Sequence, residues 1–266
     1  MSDRWTRKQI QFNNFAISYQ EGGQTAGETI LFIHGWGIST EPYQDCLEAL
    51  AEKYWVIAPD LPGFGRSTCD RSLSSYQTYA NCLLQLIDCL NLNKFQLMGH
   101  SFGGGVALAL AAAIPDRVSS LIAINSTGIP MISLFETIKG RFAELPQQLD
   151  LSGWINFSIV MQALGHNAIF HSQHCIEGAQ IAFNEDLRPW LNQLRLPCLI
   201  LWSDRDYFTP IKIGYALAEA IPNAKLQIIP DAYHEWCMMQ PKTLADIAFD
   251  FFQSIKSQFT VNYESA

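Results

Sequence analysis

Residues 97–105 read L-M-G-H-S-F-G-G-G and hold one hydroxyl, Ser101, with Gly99 and Gly103 two positions away on either side. Glycine at both places lacks the Cβ that would clash across a sharp turn. The pattern predicts a tight strand-to-helix turn with Ser101 at its tip. A serine hydroxyl is a poor nucleophile near neutral pH and needs a base within hydrogen-bond reach. The histidines on offer are His34, His100, His166, His171, His174 and His234. His234, in P-D-A-Y-H-E-W at 230–236, follows the last predicted strand and is the candidate base. His34 and His100 read as packing and hydrogen-bonding residues beside their turns. The imidazole in turn needs an acid to fix its tautomer and stabilise its cation. Asp204 and Asp206, in D-R-D-Y-F-T-P at 204–210, both follow the strand before His234, and both are candidates. Asn125 stands after an earlier strand but carries no charge, and Asp60 opens D-L-P-G-F-G as a cap or turn residue. A developing oxyanion also needs donors. The backbone N–H of Phe102, at a helix N-terminus, is one candidate. The N–H of Trp36, held out by Gly35 and Gly37, is the other.

These residues can act together only if the fold brings them to one place. Gln9–Phe12 and Phe15–Tyr19 read as a hairpin pair, and Thr29–His34 as a β-branched strand buried on both faces. Helix Pro42–Glu52 and strand Trp55–Asp60 come next, then a helix from about Ser74 to Leu92. Strand Phe95–Met98, helix Phe102–Ile114 and strand Val118–Asn125 follow. Strand Cys198–Ser203, helix Ile211–Ile221, strand Lys225–Ile229 and helix Pro241–Ser257 resume the alternation later. Repeated βα units predict a mostly parallel, doubly wound sheet with helices on both faces. Such sheets collect ligands at the carboxyl ends of their strands. H-G-W-G at 34–37, G-H-S-F-G at 99–103 and the segments carrying Asp206 and His234 each follow a strand. All four are expected at one sheet edge.

Between residues 128 and 190 the rhythm breaks into helical patches without a convincing strand, punctuated by Gly140, Pro146, Gly153 and Gly165. This block is expected to be a helical cap inserted after the sixth strand, between core segments 1–127 and 191–266. Its Phe135, Phe142, Trp154, Phe157, Met161 and Phe170 are candidates to line a pocket. His171 and His174 stand beside Cys175 but lack an obvious carboxylate partner, so no metal site is expected.

The 266 residues suit one large domain with a substantial insertion, and the 48% apolar content suits a full core. A net charge of −8 argues against a nucleic-acid backbone or an anionic membrane as partner. The 7 scattered cysteines, with no C-x-x-C pair, favour reduced thiols over a disulfide framework. No apolar core follows the charged M-S-D-R-W-T-R-K-Q-I start, and the longest apolar run, Val106–Ile114, is too short to span a bilayer. The composition leads to an expectation of a soluble, cytoplasmic protein.

Together, H-G-W-G, D-L-P-G-F-G-R-S at 60–67, G-H-S-F-G-G at 99–104, D-R-D-Y-F-T-P and His234 resemble the α/β-hydrolase superfamily over residues 9–257. The resemblance implies a cofactor-free serine hydrolase core with a helical cap. It selects Asp206, four before Pro210, as the acid over Asp204. Ser203 departs from the pattern, which usually has glycine there, and Gln240 stands where glutamate is common. An aspartate nucleophile, as in haloalkane dehalogenases and epoxide hydrolases, is disfavoured by Ser101.

The substrate is less constrained. H-G-W-G is similar to the oxyanion loop of the methyl esterase acting on pimeloyl carrier protein, and the acid segment resembles carbon–carbon bond hydrolases of aromatic degradation. The cap holds Lys139, Arg141 and Arg188 against Glu136, Glu144, Asp150, Glu177, Glu185 and Asp186. That balance would repel an acidic carrier. A small, neutral, fairly apolar ester is the expectation. A slow-turnover ligand receptor that keeps the same constellation is the alternative from another functional class.

Overall fold

The computed structural model describes residues 5–130, 139 and 153–264. Its strands are β1 (Trp5–Gln11), β2 (Phe15–Gly23), β3 (Thr29–Ile33), β4 (Trp55–Pro59), β5 (Thr68–Cys69), β6 (Phe95–His100), β7 (Val118–Ile124), β8 (Cys198–Ser203) and β9 (Ala224–Ile229). They form one sheet in the order β1-β2-β4-β3-β6-β7-β8-β9, with the two-residue β5 added to β2. The β1, β2 and β5 pairings are antiparallel and all others are parallel. The expected mostly parallel, doubly wound sheet is therefore present. The strand counted sixth in the sequence, Val118–Asn125, is β7 here, because the two-residue β5 is too short to show any alternation.

The central strands are continuous apolar runs because both faces are covered. Leu31, Ile33, Leu97, Leu121, Ala123, Ile200 and Trp202 point into one core cluster. Their alternating neighbours Ile30, Phe32, Met98, Ile122, Ile124, Leu199 and Leu201 point into the other. Helices α2 (Tyr76–Cys89), α3 (Phe102–Ala113) and α7 (Ile211–Ala220) cover the first face. Helices α1 (Gln44–Ala51) and α8 (Pro241–Glu264) cover the second. A capping box starts α2: the Ser75 hydroxyl accepts from the Thr78 N–H at 3.1 Å, and the Ser75 N–H donates to Thr78 Oγ1 at 3.2 Å. Such a cap is worth about 1 kcal/mol.

From residue 153 on, α4 (Gly153–Phe170) and α5 (Ser172–Asn184) lead to the short α6 (Arg188–Leu191). The Leu187 N–H donates to the Gly128 carbonyl at 2.8 Å, which brings residues 128 and 187 together. Among the described residues, no helix is long and apolar enough to cross a membrane.

Candidate active site

The turn after β6 carries the serine. Ser101 has φ 56° and ψ −122°, a conformation that L residues avoid and that places its hydroxyl at the tip of the turn. The neighbouring glycines make this possible. A Cβ on Gly99 would strike the Gly103 carbonyl, and one on Gly103 would strike the carbonyls of His34 and Ile33. The second contact brings the N-terminus of α3 against the end of β3, beside the loop that holds Trp36.

Three side chains meet there in a hydrogen-bonded line. Ser101 Oγ lies 3.0 Å from His234 Nε2, and His234 Nδ1 lies 2.8 Å from Asp206 Oδ2. A carboxylate only accepts, so Nδ1 carries the proton and Nε2 is left to accept from the serine. Asp206 is buried and takes further hydrogen bonds from the N–H groups of Phe208 and Thr209, the Thr209 hydroxyl and the Asn125 amide. Burial alone would push its carboxyl up. The facing His234 and the bonds from His234, Thr209 and Asn125 outweigh burial and hold it below the ordinary carboxylate value. Asp204 is exposed and accepts from the Ala232 N–H at 3.3 Å, and its carboxylate is not part of this line.

The loop at 34–37 closes over the same point. Phe102 opens α3, so its N–H is among those without an intrahelical partner. Gly35, Trp36 and Ser101 line one cavity together with Ile38, His100, Val160, Leu164, Phe208, His234, Glu235 and Met238. The cavity measures about 190 Å³ and is mainly apolar. Phe208 tilts against the His234 ring at 4.8 Å between centroids.

The pocket residues on α4 differ from those expected. Val160 and Leu164 face the cavity, while Met161 is 49% and Phe170 69% exposed. At about 100° per residue, positions 160, 164, 167 and 171 share one stripe, and 161 and 170 fall to either side of it. The absence of amphipathic contrast along this helix hides that stripe in the sequence. Phe135 and Phe142, and the side chains of Trp154 and Phe157, lie outside the described residues.

His34, His100 and His174 hold loops. His34 donates from Nδ1 to the Gly35 carbonyl at 2.8 Å and accepts the Leu61 N–H at Nε2, also at 2.8 Å. Burial pushes its pKa below the ordinary histidine value. His100 Nε2 meets the His234 carbonyl at 3.0 Å, so that nitrogen carries the proton. His100 Nδ1 lies 2.6 Å from the Tyr43 hydroxyl, which itself accepts the Gly35 N–H at 3.0 Å. Tyr43 thus links the 34–37 loop to the histidine loop, a role with no sequence signal beyond an aromatic on a short helix. His174 faces a carboxylate after all, Glu177 at 3.2 Å, and also meets the Cys69 carbonyl at 3.0 Å. Asp60 is a turn anchor: its carboxylate accepts from the Thr40 N–H and hydroxyl, both at 2.9 Å, and from the Arg66 N–H at 3.1 Å.

Asn125, uncharged and so no acid, has a different place in the site. Its amide nitrogen donates to Asp206 Oδ2 at 2.5 Å and to Ser203 Oγ at 2.7 Å, and its oxygen accepts the Trp236 indole N–H at 2.8 Å. Its place after β7, at the same sheet edge, was the available clue.

A serine, an aspartate and a histidine in that chain order, hydrogen-bonded together at the carboxyl edge of a parallel sheet, define a class, the α/β hydrolases. The chain belongs to that family: the profile of the alpha/beta hydrolase fold matches residues 28–153 and 165–240. Among similar proteins is 2-hydroxy-6-oxo-6-phenylhexa-2,4-dienoate hydrolase of Burkholderia cepacia, 28% identical over 88% of this chain and 92% of its own. Another is monoacylglycerol lipase ABHD6 of Homo sapiens, 24% identical over 92% of this chain and 82% of its own. A bacterial membrane phospholipase A superposes with a TM-score of 0.81 at 25% identity, covering 95% of this chain and 87% of that one.

Proposed function

We propose that the protein is a serine hydrolase that cleaves small, neutral, fairly apolar carboxylic esters through an acyl-enzyme on Ser101. The observation that carries this reading is the line from Ser101 Oγ through His234 to Asp206, opening on a small apolar cavity. In the proposed mechanism Ser101 Oγ attacks the ester carbonyl while His234 Nε2 takes its proton. The backbone N–H groups of Trp36 and Phe102 receive the developing oxyanion. His234 then returns the proton to the leaving alcohol, and water, activated by the same imidazole, releases the acid. Asp206 keeps the imidazole in the required tautomer throughout.

Two features favour neutral esters over carbon–carbon bond hydrolysis of a dienoate or over a carrier-bound ester. Among the described lining residues there is one carboxylate, Glu235, and neither lysine nor arginine, so an anionic acid group finds no cation. At about 190 Å³ the cavity is also smaller than the ~300–1,000 Å³ of pockets for drug-sized ligands, which suits a short chain. The test is a panel of aryl and methyl esters, thioesters and vinylogous diketones, run with and without a serine-directed phosphonate. Phosphonate-sensitive ester turnover is the expected result. Preference for the diketone would move the reaction to carbon–carbon cleavage, and ligand binding without turnover would favour a receptor.

A further inference from the structure

Two ties join the cap helices to the loop that carries the proposed Trp36 oxyanion donor, one from the side chain of Asn167 and one from that of Trp36. Asn167, on the inward stripe of α4, is fully buried. Its amide nitrogen donates to the Gly37 carbonyl at 2.9 Å and to the Ile38 carbonyl at 3.2 Å. Its oxygen accepts the Gly65 N–H at 2.9 Å. One amide thus fastens the 34–38 loop to the D-L-P-G-F-G turn, using every polar atom it has. From the other side, the Trp36 indole N–H donates to the Cys175 carbonyl of α5 at 2.8 Å. The packing is shaped for these ties. Gly37, at φ +70°, sits under Leu164, where a Cβ would come within 2.9 Å of its Cδ2. A Cβ on Gly178 would come equally close to Trp36 Cδ1.

A buried side-chain amide is expensive unless hydrogen-bonded, and an apolar residue would fill the site without that demand. Asn167 bonds only to backbone groups, and two of its three partners belong to residues directly after Trp36. We infer that Asn167 is a positioning residue for the oxyanion hole: with the Trp36–Cys175 tie, it makes the placement of the Trp36 N–H depend on the seated cap. The inference rests on the serine-hydrolase reading above. An oxyanion donor acts on the transition state and little on the bound ester. Loosening it therefore lowers kcat and leaves KM nearly in place, a split that general loosening of the pocket would not give.

The test compares wild type with Asn167→Ala and the isosteric Asn167→Asp, whose carboxylate turns acceptor toward two carbonyls. 4-Nitrophenyl butyrate is the substrate, and a trifluoromethyl ketone of matching chain length reports oxyanion binding. Both variants should lose about 10- to 100-fold in kcat with KM within about twofold, and the ketone Ki should rise in step. Trp36→Phe, which removes the second tie and leaves Asn167 intact, should show the same signature and serves if the Asn167 variants do not fold. Folded variants with wild-type kcat, or a loss carried by KM with unchanged ketone binding, would overturn the inference alone. A wild-type protein that neither hydrolyses the ester nor takes up a phosphonate would remove the underlying reading as well.

Discussion

Asp206→Asn isolates the part of the site that geometry defines best. Every partner of the Asp206 carboxylate is a donor: the N–H groups of Phe208 and Thr209 on Oδ1, and Thr209 Oγ1, Asn125 Nδ2 and His234 Nδ1 on Oδ2. An asparagine there has one acceptor oxygen, which the two backbone N–H groups claim because they cannot turn away. Its NH₂ is then forced toward Asn125 and His234. Asn125 cannot flip without giving up the Trp236 indole bond. The easier response is for His234 to move its proton to Nε2, and that tautomer cannot take the proton of Ser101. Loss of the correct tautomer costs about four orders of magnitude in kcat, or about 5.5 kcal/mol of transition-state stabilisation. Asp204→Asn removes one exposed acceptor and should change turnover less than about twofold, since it touches none of these atoms. Initial rates on 4-nitrophenyl butyrate, with circular dichroism to confirm folding, measure both. Turnover of Asp206→Asn within tenfold of wild type would refute the tautomer reasoning, and the reverse ranking would make Asp204 the acid.

A serine-directed phosphonate should add one adduct, on Ser101, by intact-mass and peptide mass spectrometry; an adduct elsewhere on the folded protein counts against the acyl-enzyme. For neutral methyl esters, kcat/KM should rise over the first few acyl carbons by roughly fourfold per methylene, from about 0.8 kcal/mol each, until the cavity is full. Half-esters of dicarboxylic acids and esters on an acyl carrier protein should be poor substrates, and a carrier ester turned over faster than its free methyl ester would reverse the assignment. Burial holds the His34 pKa below the ordinary value, so the unfolded chain binds a proton there that the folded protein refuses. Stability should therefore fall as pH drops below about 6.5, and His34→Gln should flatten that slope in denaturant titrations, even if it lowers stability at alkaline pH.

The parts of the site that follow strands were legible because a parallel sheet delivers them to one edge. Ser101, His234 and Asp206 stand within a few residues of β6, β9 and β8, and short tethers leave little freedom in where their side chains arrive. The apolar runs that announce those strands exist because helices cover both faces. Helix α4 gave no comparable signal. Its apolar residues are spread round its whole circumference, so choosing aromatic and methionine side chains marked Met161 and Phe170 and passed over Val160 and Leu164, and only the packed helix separates them. Asn167 was invisible for a related reason. Its partners are backbone groups of residues more than 100 positions away, and no side-chain type at those positions records the contact.

Ser203 shows how a departure from a family pattern can be absorbed into the chemistry. The usual glycine would offer Asn125 nothing, whereas the Ser203 hydroxyl takes an Asn125 amide bond at 2.7 Å. That bond, with the Trp236 indole on the amide oxygen, leaves Asn125 one orientation, in which its nitrogen also faces Asp206 Oδ2. A neutral donor in that place does two things a second carboxylate could not. It adds a hydrogen bond to the charged form of Asp206, which lowers the pKa, and it brings no like charge that would raise it. The absence of charge at Asn125, which excludes it as the acid, is thus what fits it to support Asp206, the proposed acid, after the next strand.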